Sequence, residues 1–552
     1  MKALIAALLL SSATSVSAQT APAPAPAPVP ATAPVAAPTA PPKLIVAISV
    51  DQFAADLFQQ YRNHYTGGFT RLLNGAVFPS GYQSHAATET CPGHSTILTG
   101  MRPAHTGIIA NNWIDQRAGR PDKMVYCSED ERVAGSTHDS YTVSDMHLKV
   151  PTLGEMMKAR DPRTRSVSVA GKDRAAVMMG GHKVDELWWW DGKTYVTYAG
   201  RAVPPAVQRT RDAVAALIAK PQEALPLPGY CAGVNHPIVI AGKTYGQGRF
   251  ERAAGDAKGF RVSPASDAAV FAMAAALVQD MKLGKGPQTD IIDIGASATD
   301  YIGHTYGTQG SEMCIQMAEL DKTLGDVFAV MDETGVDYEV VLTADHGAHD
   351  ATERQQQRAM PMEAHMDENV LAKQVGTAIA KDLGLSGSVL LGTEGDVYID
   401  DTLPEKTRAK VLADALRRYR ALPQIAGAYS AAEIMATPMA NTPPETWTLI
   451  ERARASFYPE RSGQLVVLFK PRVTTIVSPA GGYVETHGSP WDYDRRVPIL
   501  FWRKGMLGFE QPLSVETVDI VPTLAAAIGL PVSGLDGRCL DLDPGAASTC
   551  PN

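Results

Sequence analysis

Short, uninterrupted hydrophobic runs recur along the chain and alternate with longer amphipathic stretches. The continuous runs are residues 43–50, 165–171, 290–296, 338–344 and 496–502. Continuous rather than alternating polarity is typical of strands buried on both faces of a parallel sheet. Helical periodicity lies between them, at 267–282 and 317–335. Strands that alternate with helices over this length predict an α/β/α sandwich around a mostly parallel central sheet.

Two regions depart from this alternation, and we expect both to be cap-like insertions. The first, about residues 182–262, is rich in Trp, Tyr, Gly and Pro, and the second, about 351–485, is a long mixed segment before the last strand. In the first region, "ELWWWDGKTYVTY" predicts two strands around an Asp-Gly turn. We interpret its tryptophan run as packing beneath this hairpin, with stacking on a substrate as the alternative.

The N-terminus has the pattern of an export signal. Lys2 precedes a short apolar run at 3–10, and small residues end at Ala18, so we expect a signal peptide over 1–18. Residues 19–42 form a Pro/Ala-rich linker, and one folded domain is expected over 43–552. No stretch is apolar for long enough to predict a membrane span. The protein is therefore expected in the periplasm or the medium, and the sequence does not decide between them.

The net charge limits the possible binding partners, and the cysteine content favours disulfides over a metal site. The net charge of −9 argues against a nucleic-acid-binding surface, because binding a phosphate backbone needs a basic field. Six cysteines in an exported protein favour disulfides, although their pairing cannot be derived from the sequence. Cys539 and Cys550 are the expected pair, since they would close the C-terminal tail. A thiolate metal site is the alternative, but the chain has no C-x-x-C. The oligomeric state is not predicted.

Carboxylates and histidines follow several of the predicted strands. They are Asp51, Asp300, His304, Asp345 and His346, and His487 precedes the last strand. Ligands of open α/β sheets bind outside the carboxyl ends of the strands. Carboxylates and imidazoles crowded together there would stay unsatisfied unless a cation balanced their charge. Mixed oxygen and nitrogen ligands without cysteine favour catalytic zinc.

The segment "AATETCPGHSTILTG", residues 86–100, adds a candidate nucleophile. It follows a strand-like stretch, and Pro92-Gly93 begins a predicted helix, which places Thr90 at a helix N-terminus. Thr90 could simply cap that helix. Beside a metal, however, its hydroxyl would have a lowered pKa and could act as a nucleophile.

These motifs resemble a known family. "TETCPGH" resembles the T-x-T-x-P-x-H nucleophile segment of the phosphodiesterase-like branch of the alkaline phosphatase superfamily. "GIIANNW" (107–113), "AGKDR" (170–174), "ATDYIGH" (298–304), "TADHG" (343–347) and "ETHG" (485–488) match that branch in order. The match covers essentially the whole mature chain, and it is most similar to the secreted bacterial alkaline phosphatases with a threonine nucleophile. It implies hydrolysis of phosphate monoesters through a phosphothreonine intermediate.

The resemblance also implies two Zn²⁺ per chain and a role for each motif residue. Asp51, Asp345 and His346, with the Thr90 oxygen, match the zinc site that activates the nucleophile. Asp300, His304 and His487 match the site that takes the leaving-group oxygen. Additional Ca²⁺ sites cannot be read from the sequence.

Three further residues match groups that bind the phosphoryl oxygens. Asn111 matches an amide donor, and Lys172 and Arg174 match the cationic pair of the monoesterases. We expect an extended segment here, so that Lys172 and Arg174 share one face while Asp173 points away. The alternative is a surface triplet whose charges pair with one another. Thr88 is expected to be structural.

Other functions fit part of this pattern. A nucleotide pyrophosphatase or phosphodiesterase on the same scaffold is the nearest alternative, although "GKDR" argues against it. A sulfatase would need C-x-P-x-R, but Cys91 is directly followed by Pro92 and no Arg stands at the required place. A phosphoglycerate mutase relative would normally use serine as the nucleophile and would lack the signal peptide that is expected here. A non-catalytic phosphate-binding relative would have lost a ligand, and none is lost.

Overall fold

The computed structural model describes residues 40–358, 360–392, 395–545 and 548–551. The expected signal peptide, 1–18, lies outside the described residues, as does the expected linker up to residue 39. The described strands, in chain order, are β1 (Leu44–Val50), β2 (Ala76–Tyr82), β3 (Asn112–Ile114), β4 (Met124–Tyr126), β5 (Ser166–Ala170), β6 (Glu186–Trp190), β7 (Tyr195–Val196), β8 (Ile238–Ile240), β9 (Lys243–Tyr245), β10 (Asp290–Ala296), β11 (Tyr338–Thr343), β12 (Ala364–His365), β13 (Leu390–Gly392), β14 (Asp396–Ile399), β15 (Ile425–Ser430), β16 (Leu465–Phe469), β17 (Val473–Thr474), β18 (Arg496–Arg503), β19 (Phe509–Glu510) and β20 (Val515–Glu516).

The described α-helices separate and flank these strands. In chain order they are Ala55–Tyr61, Gly68–Leu72, Thr90–Ile97, Pro103–Thr106, Leu153–Arg160, Asp173–Gly180, Pro205–Ile218, Ala257–Arg261, Pro264–Asp280, Ala298–Tyr306, Ser311–Glu333, Thr352–Arg358, Ala372–Asp382, Glu405–Ala421, Ala431–Ala436, Leu449–Ser456, Asp492–Arg495 and Ile520–Ala527.

A ten-stranded mixed sheet forms the centre of the molecule. Its strand order is β19-β2-β18-β11-β1-β10-β5-β6-β7, and β20 also pairs with β2. Strand β1 is parallel to β10 and β11, and β5 is parallel to β10 and β6. The expected fold class, an α/β/α sandwich with a mostly parallel sheet, is confirmed.

The prediction of a parallel strand at 496–502 is wrong in direction. Strand β18 is antiparallel to both of its neighbours, β11 and β2. Its continuous hydrophobic run reports burial on both faces, and burial does not depend on strand direction. Because β18 runs the other way, the residues that precede it lie at the edge where β1, β10 and β11 end.

Alternate residues of the central strands serve two separate cores. Val46 and Ile48 pack with the helices Pro264–Asp280 and Ser311–Glu333 on one face of the sheet. Ile45 and Ala47 join a second cluster on the other face, with residues of the helices Leu153–Arg160 and Ile520–Ala527. The side-chain period of two thus sends one strand into both layers of the sandwich.

The two regions that interrupt the alternation have structure of their own. In residues 182–262, β6 and β7 form the predicted antiparallel pair, and Trp188, Trp189 and Trp190 are buried, which agrees with packing. Residues 351–485 contain a four-stranded antiparallel sheet in the order β13-β14-β16-β15, with its own hydrophobic cluster.

Three disulfides pair all six cysteines. The expected Cys539–Cys550 bond is present, and the others join Cys91 to Cys127 and Cys231 to Cys314. Since no thiol is free, the alternative of a thiolate metal site is wrong. None of the described helices combines the length and the apolar character needed to cross a membrane.

Candidate active site

The ends of three central strands bring acidic and histidine side chains to one place. Asp51 directly follows β1, and Asp345 and His346 follow β11. Strand β10 leads into the helix Ala298–Tyr306, which carries Asp300 and His304 one turn apart on the same side. Because β1 lies between β10 and β11, these side chains meet above the middle of the sheet.

His487 joins them from the segment that enters β18. Its Nε2 lies 3.4 Å from Asp300 Oδ1, and its ring stacks on that of His346 with 3.6 Å between the centroids. The antiparallel direction of β18 explains the placement, since a residue ahead of a parallel strand would lie at the opposite edge of the sheet.

Two groups of side chains have the spacing of metal sites. One consists of Asp300, His304 and His487, and the other of Asp51, Asp300 and His346, with the ligand atoms of each group within 4.8 Å of one another. Asp345 Oδ2 lies 3.3 Å from His346 Nε2, beside the second group. The structure therefore brings together all six predicted protein ligands. Asp300 belongs to both groups and so connects them.

The three histidines present the same ring nitrogen to this centre. Nδ1–H donates to a backbone carbonyl in each: His304 to Glu485, His346 to Gly347 and His487 to Thr88, at 2.8–3.0 Å. Each Nε2 is then the unprotonated, ligand-forming nitrogen when the imidazole is neutral. Burial lowers the pKa of His346 to about 3, which keeps that ring neutral.

The carboxylates are too close to be stable as bare anions. Burial and the neighbouring Asp300 and Asp345 raise the pKa of Asp51 well above its ordinary value. Asp51 Oδ1 and His346 Nε2 have no hydrogen-bond partner among the described residues. An unpartnered carboxylate oxygen beside an unprotonated imidazole nitrogen is a donor set that a divalent cation satisfies, so the residues fit the expected metals.

Lys172 supplies the positive charge that the protein itself brings. Its Nζ lies 2.7 Å from Asp51 Oδ2 and 2.5 Å from Asp300 Oδ2. Burial alone would raise the pKa of Asp300, but Lys172 and His304 outweigh it and hold that pKa well below its ordinary value. The same ammonium is 3.5 Å from Thr90 Oγ1, so it touches both metal-site groups and the candidate nucleophile.

Thr90 is the first residue of the helix Thr90–Ile97, as predicted. The helix approaches the end of β11 very closely, because a Cβ on Gly93 would lie 2.0 Å from the carbonyl oxygen of Asp345. Cys91, the next residue, is bonded to Cys127. The Thr90 hydroxyl therefore lies at the positive end of a helix that glycine packing and a disulfide hold against the site.

Asn111 is fixed from both sides. Its backbone N–H donates to Glu89 Oε2 at 2.7 Å, and its side-chain Oδ1 accepts the backbone N–H of Cys91 at 2.8 Å. The side-chain NH₂ is the part of this amide that remains for a ligand in the cavity, which Asn111 and Thr90 both line.

The expected geometry of the Lys-Asp-Arg segment is wrong. Lys172 has an extended backbone, but Asp173 begins a helix, so Arg174 lies in its first turn. Strand alternation therefore does not relate the two cations. Arg174 still lines the cavity beside Thr90, and its Nη1 donates to the Tyr126 hydroxyl at 3.4 Å. Asp173 accepts hydrogen bonds from the Tyr126 and Tyr141 hydroxyls, so the surface triplet does not form.

Three supporting residues were not predicted. His94 Nδ1 lies 3.0 Å from Asp345 Oδ2, and the backbone N–H of Gln52 donates to Asp345 Oδ1. Gln52 has a positive φ of 65°, which is unusual for a residue other than glycine. Glu485 is buried behind His304, and burial raises its pKa to about 8. His94 and Glu485 lie in motifs that match the family, and this match is the sequence signal that could have identified them.

Comparison with known proteins agrees with this geometry. The family model for type I phosphodiesterases/nucleotide pyrophosphatases matches residues 45–490. Alkaline phosphatase PhoK of Sphingomonas sp is 57% identical over 558 residues, covering 100% of this chain and 99% of that protein. Alkaline phosphatase PhoD of Zymomonas mobilis is 47% identical over 518 residues, covering 92% and 89%. The crystal structure of alkaline phosphatase PafA shares the fold, with a TM-score of 0.79 at 24% identity over 91% of this chain and 99% of that one. The chain belongs to the type I phosphodiesterase/nucleotide pyrophosphatase family, as a member of the alkaline phosphatase superfamily of the PhoK/PafA type.

Proposed function

We propose that this protein is an exported, zinc-dependent alkaline phosphatase that hydrolyses phosphate monoesters through a phosphothreonine intermediate on Thr90. The relatives named alkaline phosphatase, PhoK and PhoD, support the activity because they align over nearly their whole length. Three disulfides support an oxidising compartment. Asp51, Asp345 and His346 would hold one Zn²⁺, and Asp345 Oδ2 lies 3.3 Å from His346 Nε2. Asp300, His304 and His487, whose ligand atoms lie within 4.8 Å of one another, would hold the other.

Each of these residues has a separate role in the reaction. The Thr90 oxygen forms a bond to phosphorus while the ester P–O bond breaks and the alcohol leaves with a proton. Water then cleaves the phosphothreonine, which returns the hydroxyl and releases phosphate. The amide of Asn111 and the cations of Lys172 and Arg174 bind the non-bridging oxygens. Bound zinc would supply Lewis-acid stabilisation of the attacking and leaving oxygens.

The observation that carries the proposal is the position of the Thr90 hydroxyl. It lies at a helix N-terminus, in a cavity that Asp300, His304 and His487 also line. Through Lys172 Nζ, 3.5 Å away, it is linked to Asp51 and Asp300, one carboxylate from each side of the metal centre. A threonine that only capped its helix would need none of these neighbours.

Replacement of Thr90 tests the nucleophile. Thr90→Ala should lose most monoester hydrolysis while keeping the parent melting temperature and zinc content, and Thr90→Ser should keep appreciable activity because the hydroxyl survives. Labelled phosphate should be trapped on residue 90 of the parent after acid quenching. Thr88→Ala is the matched control, since the Thr88 hydroxyl donates to the backbone of Ser489 instead. Label on another residue would contradict the proposal.

A second experiment separates the monoesterase from the diesterase that the family model also includes. A monoester dianion carries one more charge than a diester, and Lys172 and Arg174 are the cations placed to bind it. Alanine at both positions should lower monoester kcat/KM by at least about 100-fold, at about 1.4 kcal/mol per tenfold. Diester kcat/KM should fall much less. Equal losses on both substrates would favour the diesterase.

A further inference from the structure

The cavity beside Thr90 has two unlike walls. It has a volume of about 350 Å³, and its first wall is polar, with Thr90, Asn111, Arg174, His304 and His487. Its second wall is apolar and includes Ala86, Phe457, Val466 and Leu468. A phosphate monoester bound at Thr90 would have its phosphoryl group on the first wall, so its alcohol portion would face the second.

The second wall belongs to a small hydrophobic cluster separate from the two cores of the central sheet. Val466 and Leu468 of β16 pack in it with Ala453 and Phe457, which come from the helix Leu449–Ser456 and the residue after it. Leu465, on the other face of the same strand, packs instead into the core of the inserted sheet. The inserted region thus contributes apolar side chains of β16 to the cavity, where Val467 and Phe469 lie beside Val466 and Leu468, whereas Leu465 does not line it.

The charges around the cavity add a second restriction. Among the described residues that line it, Arg174 is the one Arg or Lys, and it lies on the phosphoryl side. Asp396, on the side of the inserted sheet, is an acid that accepts the backbone N–H of Gly463. A leaving group with its own negative charge would therefore lose water there without meeting a cation.

We propose that this wall is a leaving-group subsite that selects phosphate monoesters of neutral, apolar alcohols, aryl or alkyl, over those whose alcohol is anionic. The inference rests on the proposed function and specifies its substrate class. Phe457, Val466 and Leu468 determine the selectivity by covering apolar surface of the leaving group.

Aryl phosphates that differ in one ring substituent test the subsite in the unmodified enzyme. Phenyl phosphate and 3-carboxyphenyl phosphate leave as phenols of nearly the same acidity, so they differ in the ring carboxylate rather than in leaving-group chemistry. The neutral 3-carbamoylphenyl phosphate, which has the size of the carboxyl compound, controls for bulk and should behave like phenyl phosphate. We expect kcat/KM for phenyl phosphate to be at least about tenfold higher than for the carboxyl compound, and the ratio to persist at high salt, which screens long-range repulsion. A ratio near one, or one that salt abolishes, would overturn the proposal.

A pair of variants on one strand locates the effect. Leu468→Ala should reduce the phenyl preference at least about threefold, because it removes part of the wall. Leu465→Ala makes the same deletion on the opposite face of β16 and should leave the preference unchanged. Equal changes in both variants would mean that the wall does not select the substrate.

A binding measurement covers the case in which the variants do not fold and separates the two proposals. Calorimetry on the zinc-loaded parent should show phenylphosphonate binding at least about tenfold more tightly than methylphosphonate. Equal binding would overturn the subsite even if turnover is normal. No turnover of any monoester, with tight phenylphosphonate binding, would instead overturn the proposed function and leave the subsite in place.

Discussion

Arg174 reaches the site from the first turn of a helix, and a tyrosine hydroxyl holds it there. The Tyr126 hydroxyl donates to Asp173 Oδ1 at 2.7 Å and accepts from Arg174 Nη1 at 3.4 Å. The Tyr141 hydroxyl donates to the other oxygen of Asp173. Tyr126 therefore connects the buried carboxylate to the cation, whereas Tyr141 is bonded to the carboxylate.

Removal of these hydroxyls should have unequal effects. Tyr126→Phe should lower monoester kcat/KM by about threefold to tenfold, the range expected for losing one weak hydrogen bond to a charged group. Tyr141→Phe should cost less than about twofold. The loss in Tyr126→Phe should appear for monoesters and not for diesters, which a general loss of packing would not reproduce. Equal losses in the two variants would contradict a positioning role for Tyr126.

The residues of the site differ in how far the sequence could predict them. Asp51, Asp300, Asp345 and His346 follow strands, so periodicity and the strand-end rule suffice to bring them together. His94 and Gln52 act through contacts with Asp345, which is more than 200 residues away along the chain, and no local pattern contains that contact. The expected geometry of Arg174 is wrong because a helix begins at Asp173, within the segment that strand alternation treats as extended.

At the scale of elements, hydrophobic pattern and turn chemistry predicted the central strands of the sheet and one hairpin. The strands β1, β5, β10 and β11 and the β6–β7 hairpin lie where the pattern placed them. The direction of β18 could not be predicted, because it depends on which strands lie beside it. A strand buried on both faces has the same continuous hydrophobic pattern whether it is parallel or antiparallel to its neighbours. His487 reaches the site only because of that direction.

Strand β10 carries a buried acid in the middle of the central sheet. Asp293 is buried between Ala47 of β1 and Ser168 of β5, and its Oδ1 has no hydrogen-bond partner among the described residues. Burial raises the pKa of Asp293 well above its ordinary value. The folded protein therefore favours the protonated acid. As pH rises above the ordinary value, ionisation in the unfolded chain lowers the stability of the fold.

Replacement of Asp293 by asparagine should remove this pH-dependent cost. Asp293→Asn should be more stable than the parent at pH 8, and the gain should shrink toward pH 4. Urea unfolding at both pH values measures it. Asp290→Asn, at the start of the same strand, should instead destabilise the protein because it breaks the ion pair with Arg165. A gain for Asp293→Asn that does not depend on pH would contradict the argument.

At the scale of the whole molecule, the disulfides join parts that the sheet does not. Cys231–Cys314 ties the 182–262 region to the helix Ser311–Glu333 and closes a sequence separation of 83 residues. Cys539–Cys550 closes only 11 residues near the C-terminus. A cross-link restricts the unfolded chain more when its loop is longer, so the first bond should contribute more to stability than the second.

The two disulfides can be compared directly by removing each with a pair of alanines. Loop-closure entropy gives a cost of about 4.6 kcal/mol for Cys231→Ala/Cys314→Ala and about 2.8 kcal/mol for Cys539→Ala/Cys550→Ala. Cys231 and Cys314 are also fully buried, so alanine at these positions leaves gaps in the core of the central sheet. These gaps should increase the difference in stability between the two double variants. Urea midpoints without reductant should therefore fall further for the first pair. Phosphatase activity at low urea should stay near that of the parent in both variants, since neither bond contacts the site. An equal or reversed order of the midpoints would show that these bonds do not stabilise the fold through their loops.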